Sequence, residues 1–354
     1  MINTIYDIKS LRSIESYWNT LSESINFSLI DFDWFYSCAV ALSDYRNLCI
    51  LYHTNNLSIT GIAPLAKFGT GIDEHYEILG TRHLGEPTSL LANTSNDLSR
   101  IINSISLLNR PTYLSRLYEH EAFKKIDASI MNYKGIAVKR SGSHSAYIPI
   151  TTSWDNYRRE MPSKKRYDLK RGYNRAKKIG RLIFRMTCPN PVNFTDIAAI
   201  AFYIESSGWK SRNKSSLRTN LLLKSFFSKY LYKCSKNRTL RIAFLYLDEA
   251  PIAALVGVES NNSFWILKVG YDERWKPLSP GIQVINETLK YCFDNQLFRM
   301  EFLGSEEAWI NKWHNVNYHE YLSLNLFPAN AYGFYAYGRY LLNSIKSRLT
   351  SSTN

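Results

Sequence analysis

Four stretches of this chain carry side chains whose types and spacing suit chemistry. In the first, Glu205, Trp209 and Lys210 sit at the end of an apolar helical repeat, Ile197, Ile200, Ala201 and Ile204, which Gly208 is placed to stop. The helix is expected over Asp196–Ser207, which puts Trp209 and Lys210 on the loop just beyond it. A lysine there can hold a phosphate or carboxylate, and an indole can line an acyl or sugar pocket. A packing tryptophan beside a solvated lysine is the other reading. In the second stretch, Ser279-Pro280-Gly281 precedes a helical pattern of Ile282, Ile285, Leu289 and Phe293. N–H groups at a helix start are unpaired, and the dipole there favours an anion. The turn is therefore either a phosphate cradle or a plain cap. Pro280 has no N–H, so the donors of a cradle formed with Ser279 would be Gly281, Ile282 and Gln283.

The third stretch, Arg158–Arg185, holds twelve Lys and Arg residues against only Glu160 and Asp168. Read as a helix capped by Ser163 and stopped at Gly180, it places Lys164, Lys165 and Arg166 in a first turn whose dipole opposes positive charge. A docked anion would relieve that conflict; a solvated basic face fits equally well. Tyr157, Tyr167 and Tyr173 are interleaved with the cations, as in many nucleic-acid binders. The fourth stretch, Gly304 to His314, offers Glu306 and His314 as acid/base groups, Trp309 as an aromatic wall and Lys312 as a cation. A histidine near a helix end is also a common structural residue.

Other chemistries lack their residues. The seven histidines are scattered without a His-x-x-x-His pair, and the five cysteines without a Cys-x-x-Cys pair, so no metal site and no disulfide framework is expected. There is no Gly-x-Ser-x-Gly elbow, Walker A loop or dinucleotide glycine pattern. The net charge of +14 points to anionic partners: nucleic acid, an acidic membrane surface or a phosphate-rich cofactor. Unpaired cysteines, no leader-like N-terminus and lysines breaking the apolar stretch Leu221–Tyr232 suggest a cytoplasmic protein without a transmembrane segment.

The elements that must position these residues follow from periodicity. Leu240–Leu247, Pro251–Glu259 and Phe264–Tyr271 read as strands joined by Asp/Asn/Ser turns. A helix over Ile282–Phe293, a strand over Phe298–Leu303, a short helix over Glu306–Trp313 and a last strand over Tyr318–Phe327 complete this half. The first half opens with a helix over Tyr6–Ser22 and strands over Asn47–His53 and Ser58–Ala66. Arg46-x-Leu48-x-Ile50 is echoed by Arg238-x-Leu240-x-Ile242, a weak internal similarity. The expected division is residues 1–148, 149–330 and an aromatic-rich tail, 331–354, with Tyr332, Phe334, Tyr335, Tyr337 and Tyr340.

The order of strands, turn and helix between Leu240 and Leu326 resembles the GNAT acyltransferase core. Glu205-Ser206-Ser207-Gly208-Trp209-Lys210 resembles the Glu-x-x-Gly-Trp-Lys motif of the CelD-like, FemAB-related acetyltransferases, and Tyr271-Asp272…Ser279-Pro280-Gly281 their Tyr-Asp…Ser-Pro-Gly loop. Trp18-x-x-Leu21, Phe32-Asp33-Trp34 and Gly61-Ile62-Ala63-Pro64-Leu65 are similar to their N-terminal half. The family's Gly-Asp-x-x-Tyr-Lys is not kept: in one alignment Ser305, Trp309 and Ile310 stand at its glycine, tyrosine and lysine.

This resemblance implies an α+β protein of two tandem GNAT-like domains. Its activity would be acyl transfer from acetyl-CoA or another acyl-CoA to an amine or hydroxyl of a small acceptor, such as an amino sugar in polysaccharide or cell-envelope synthesis. With the residue readings above, the candidates are Lys210, Glu205 and His314 as catalytic residues, Trp209, Trp309 and Lys312 as substrate-binding residues, and Ser279, Gly281, Ile282 and Gln283 as cofactor-binding residues, with no metal expected. Two alternatives stand beside it. One is an aminoacyl-tRNA-dependent transferase of the peptidoglycan-bridge kind, using the basic segment for tRNA. The other is a degenerate GNAT scaffold acting as a binding subunit. The oligomeric state is not legible.

Overall fold

The structure, a computed structural model, describes all residues except 26, 43–46, 56–57, 208–216, 218, 305–308 and 352–354. The side chains of 347–351 are also outside the description. In chain order the strands are β1 (Ile2–Ile5), β2 (Leu48–Asn55), β3 (Ser58–Phe68), β4 (His75–Ile78), β5 (Leu91–Ala92), β6 (Thr112–Tyr118), β7 (Gly135–Ser141) and β8 (Ser145–Pro149). They continue with β9 (Leu182–Thr187), β10 (Leu240–Leu247), β11 (Ala250–Ser260), β12 (Ser263–Tyr271), β13 (Arg299–Leu303), β14 (Asn317–His319) and β15 (Tyr321–Pro328). The longer helices are α1 (Glu15–Glu23), α2 (Phe32–Ala41), α3 (Ser95–Ile105), α4 (Trp154–Glu160), α5 (Ser163–Lys177), α6 (Phe194–Ser206), α7 (Leu221–Lys236), α8 (Pro280–Asp294) and α9 (Ala331–Ser351).

The chain forms two compact units, Met1–Ser143 with Glu320–Asn354, and His144–His319. Each holds one sheet, ordered β1-β2-β3-β4-β6-β15-β7 (with β5 on β3) and β9-β10-β11-β12-β13-β8-β14. The two orders correspond strand by strand. Antiparallel neighbours lead to one parallel pair, β4–β6 in the first and β12–β13 in the second. Next to that pair each sheet takes a strand from the far side of the chain: β15 enters the first sheet and β8 the second.

Several expectations are corrected here. The last strand, read as Tyr318–Phe327 in the second sheet, is two pieces: β14 pairs with β8, and β15 runs between β6 and β7. Alternating Leu322, Leu324 and Leu326 mark a strand but carry no information on its neighbour. Residues 320–330 accordingly fall in the first unit rather than in a domain of 149–330, and β8, from 145, falls in the second. The opening helix is broken into Ile8–Arg12 and α1. Ser163 is not a cap: Pro162 holds that place, and no side chain caps α5. Of the helix expected over Glu306–Trp313, the described part is a single turn at Ile310–Lys312. The aromatic tail is α9, whose Tyr337 and Tyr340 pack on Phe327 of β15.

In the second unit helices cover both faces of the sheet, so β10–β12 are apolar almost throughout. The β11–β12 turn is made by Asn261 and Asn262, both left-handed (φ 50° and 51°), the backbone a two-residue hairpin requires. On one face, α4, α5 and α8 pack Tyr157, Met161, Ala176, Val284, Leu289 and Phe293 against Phe264, Ile266 and Met300. On the other lie α6 and α7, with Phe226, Phe227 and Tyr230 buried.

Candidate active site

The site begins where two strands part. β12 pairs with β13 only through Ser263–Arg299, Phe264–Met300 and Trp265–Glu301, then runs on to Tyr271 without it. On its other edge the register shifts, Gly257 facing Ile266 and Val256 facing Lys268, so Leu267 is an extra, bulged residue. A bulge re-aims the backbone and side chains that follow. Beyond it Val269 and Tyr271 join the α8 side, while Lys268 and Gly270 face α6 and α7. Gly270 lies so close to Glu205 that a Cβ would overlap that residue's Cα, and a Cβ on Gly281 would fall 2.9 Å from the Tyr271 ring. The end of α6 and the start of α8 thus grip the same end of β12 from opposite faces.

Glu205 is buried (4% exposed), and its Oε2 accepts the Leu217 N–H at 3.0 Å. Its carboxylate therefore ties down the chain on the far side of residues 208–216. Trp209 and Lys210 lie outside the described residues. Ser279 caps α8 with a left-handed backbone (φ 53°). Ile282 and Gln283 do not offer the free donors expected of them, because both N–H groups donate to the Ser279 carbonyl at 3.1 Å. Of the three expected donors Gly281 is left. The Gln283 side chain donates to Leu169 O at 2.7 Å and Arg175 to Pro277 O at 3.2 Å, so α5 locks this turn from behind.

His314 is not brought to Glu205. Its Nε2 is 3.0 Å from Glu160 Oε2, its carbonyl accepts the Tyr157 hydroxyl at 3.0 Å, and its ring lies beside Tyr157. These contacts put it on the α4 side, whereas Glu205 lies on the α6 side. The cause is the burial of Ile310 and Trp313 in the α4–α5–α8 core, which carries the whole turn with them. Trp309 is on the same side, edge-on to Phe302 with centroids 5.8 Å apart. Lys312 is exposed at the surface of this turn. It acts on Lys165, which is buried with Nζ 3.7 Å above the Trp313 ring. Burial first, and the Lys312 charge second, bring the Lys165 pKa down to about 8, against a smaller pull from Asp168.

The group that sequence reasoning missed is on the α6 face, at the last paired rung before the strands part. Glu301 is fully buried there, opposite Trp265 and Tyr147. Both its oxygens lie near His319 Nε2, at 2.9 and 3.0 Å. Arg299 Nε lies 2.6 Å from Oε1, an ion contact whose N–H is not aligned as a hydrogen bond. Tyr147 stacks on the His319 ring at 4.3 Å. A carboxylate accepts only, so it fixes the ring's orientation and makes Nε2 the N–H nitrogen and Nδ1 the acceptor in the neutral ring. The one signal in the sequence is an acid inside the apolar run Met300-Glu301-Phe302-Leu303. Among the described residues no three His, Cys, Asp or Glu are grouped to hold a metal, and no helix is long and apolar enough to cross a membrane.

Residues 163–310 match the acetyltransferase (GNAT) domain family. A search of curated proteins returns no match. The structure is similar to FemX, at 8% identity and a TM-score of 0.57 over 91% of this chain and 96% of that one. It is similar to the C-terminal domain of a putative lysylphosphatidylglycerol synthetase from Agrobacterium fabrum, at 8% identity and a TM-score of 0.56 over 91% and 94%. A conserved protein of unknown function from Bacteroides thetaiotaomicron shares 12% identity, with a TM-score of 0.55 over 92% and 100%. At these identities the likeness is one of fold. The family match spans α5 through β13, including the strands that part, so residues 163–310 match a GNAT domain within a two-sheet fold similar to that of FemX.

Proposed function

We propose that the protein transfers an acyl group from an acyl-CoA to an amine or hydroxyl, with an amino sugar of polysaccharide or cell-envelope synthesis as the acceptor class. The observation that supports this most is the parting of β12 from β13 with the Glu301–His319 pair at its base. The thioester would lie along the edge of β12 that β13 leaves, where backbone N–H groups can stabilise an oxyanion. The cofactor diphosphate would reach the Gly281 N–H at the start of α8. His319 would take the proton from the attacking nitrogen or oxygen as its bond to the acyl carbon forms. The C–S bond then breaks, and the proton returns to the departing thiolate. Glu301 is a positioning residue in this scheme. Lys210 stays a candidate for holding an anionic group of the acceptor, on the strength of its motif.

The test is release of free thiol by the purified chain from acetyl-CoA and longer acyl-CoAs, with glucosamine and nucleotide-linked amino sugars as acceptors. His319→Ala should lower kcat about 100-fold, the smaller end of what general-base catalysis contributes. Turnover by the variant equal to wild type removes His319 from the chemistry. No acyl-CoA binding by a natively folded chain favours the scaffold reading. An aminoacyl-tRNA donor is the second reading, favoured by Arg158, Arg166 and Lys170, cations that line one groove. Aminoacyl transfer in the same assay, with acyl-CoA inert, would establish it.

A further inference from the structure

Strand β12 divides the space beside the gap into two sides. Beyond the bulge Val269 and Tyr271 lie with α8 and the turn at Gly281, while Lys268 and Gly270 face α6 and α7. The Glu301–His319 pair is on this second side, at the rung of Trp265. Lys268 follows on the same strand, after Ile266 and the bulged Leu267, which puts it about 7–10 Å beyond that rung.

Lys268 is half-buried, with its Nζ 4.9 Å from the centre of the ring of Phe227, a buried residue of α7. No hydrogen-bond or ion-pair partner is found for it among the described residues. Other half-buried cations of this unit are matched: Arg241 by Glu259, Lys290 by Asp294 and Arg299 by Glu301. Glu205, packed against Gly270 on the same side, accepts the Leu217 N–H and makes no ion pair with Lys268. A ring face offsets only part of the cost of withdrawing an ammonium from water, and its N–H donors are left for a ligand.

We propose that Lys268 holds an anionic group of the acceptor, and that the acceptor is an amine or alcohol carrying a phosphate or a carboxylate. The assignment rests on the acyl-transfer reading. With the cofactor diphosphate on the Gly281 side of β12, the acceptor reaches the thioester from the side of His319, and Lys268 meets the acceptor and not the cofactor. The nucleophile would lie at His319 and the anion further along β12, so several bonds separate the two groups. A neutral amino sugar would leave the ammonium unmatched.

Titration calorimetry on the full chain with glucosamine, glucosamine 6-phosphate and muramic acid reads binding. Thiol release from acetyl-CoA and longer acyl-CoAs with the same three amines reads transfer. At least one anionic amine should bind ten-fold more tightly than glucosamine or better, and the phosphate and carboxylate arms identify which anion is held. Lys268→Met, which keeps the apolar stem over Phe227, should weaken binding of that amine about ten-fold, and Lys268→Arg should restore most of it. In turnover, Lys268→Met should raise KM for the anionic amine more than it lowers kcat. Binding that depends on Lys268, with no thiol release from any acyl-CoA, upholds the anion site and overturns the acyl-transfer reading. Thiol release as fast with glucosamine as with the anionic amines, and indifferent to Lys268→Met, upholds that reading and overturns the proposal. The proposal also falls if natively folded Lys268→Met binds the anionic amines as wild type does, or if wild type binds neither of them at millimolar concentration.

Discussion

Lys165 shows how one residue records the conflicts of its surroundings. It sits in the first turn of α5, where the dipole opposes a cation, and is buried over Trp313 beside the charge of Lys312. A cation–π contact offsets part of that cost. The folded pKa is about 8, against an ordinary lysine value of 10.5. Below pH 8 both folded and unfolded chains carry the proton, and the cost of burying the charge is present in full. Between pH 8 and 10.5 the unfolded chain binds more protons than the folded one, so stability rises with pH through this window. In urea melts, wild type should therefore gain stability relative to Lys165→Met between pH 8 and 10. A difference between the two that stays flat across the window would mean the lysine is not perturbed.

At the scale of elements, the contact that shapes the candidate site is α6 against β12. Gly270 is required there because any Cβ would collide with backbone, the Glu205 Cα, and not with a side chain able to rotate away. Gly270→Val should force the end of α6 off the sheet, strain the Glu205–Leu217 hydrogen bond and cost about 3 kcal/mol in urea unfolding. Gly338, inside α9 with open space around it, is the control. Its replacement by alanine should stabilise by about 0.5–1 kcal/mol. Equal stabilities for the Gly270 and Gly338 variants would mean that α6 yields more easily than its packing indicates.

For the whole molecule, the exchange of β8 and β15 makes the two units unequal as pieces of sequence. His144–His319 contains all seven strands of its sheet, whereas the first unit needs β15 from beyond residue 319 to join β6 to β7. Without β15 the first sheet would have a gap where Leu322, Leu324 and Leu326 are buried, and two open edges. A fragment of 144–319 should show a cooperative thermal transition by circular dichroism, and a fragment of 1–143 should not. Cooperative melting of the 1–143 fragment would show that β7 can pair with β6 in its own right.

Sequence by itself determined what is local. The spans of β10, β11, β12 and α8, and the turns at Asp248 and Asn261–Asn262, follow from periodicity and turn residues within a few positions. Leu48 and Ile50 of the internal echo fall on β2, and Leu240 and Ile242 on β10, the second strands of the two sheets. The likeness of residues 163–310 to a GNAT domain was legible through motifs that are also short. Partnership between distant segments was not. Whether β15 joined one sheet or the other, which face took His314, and that Glu301 would meet His319 and Tyr147 were decided by the tertiary structure. The physical reason is common to all three. An alternating apolar strand fits either sheet, and a buried acid is tolerable only beside partners the fold supplies. Those partners are fixed by which strands pair, and strand pairing is a property of the whole packed chain.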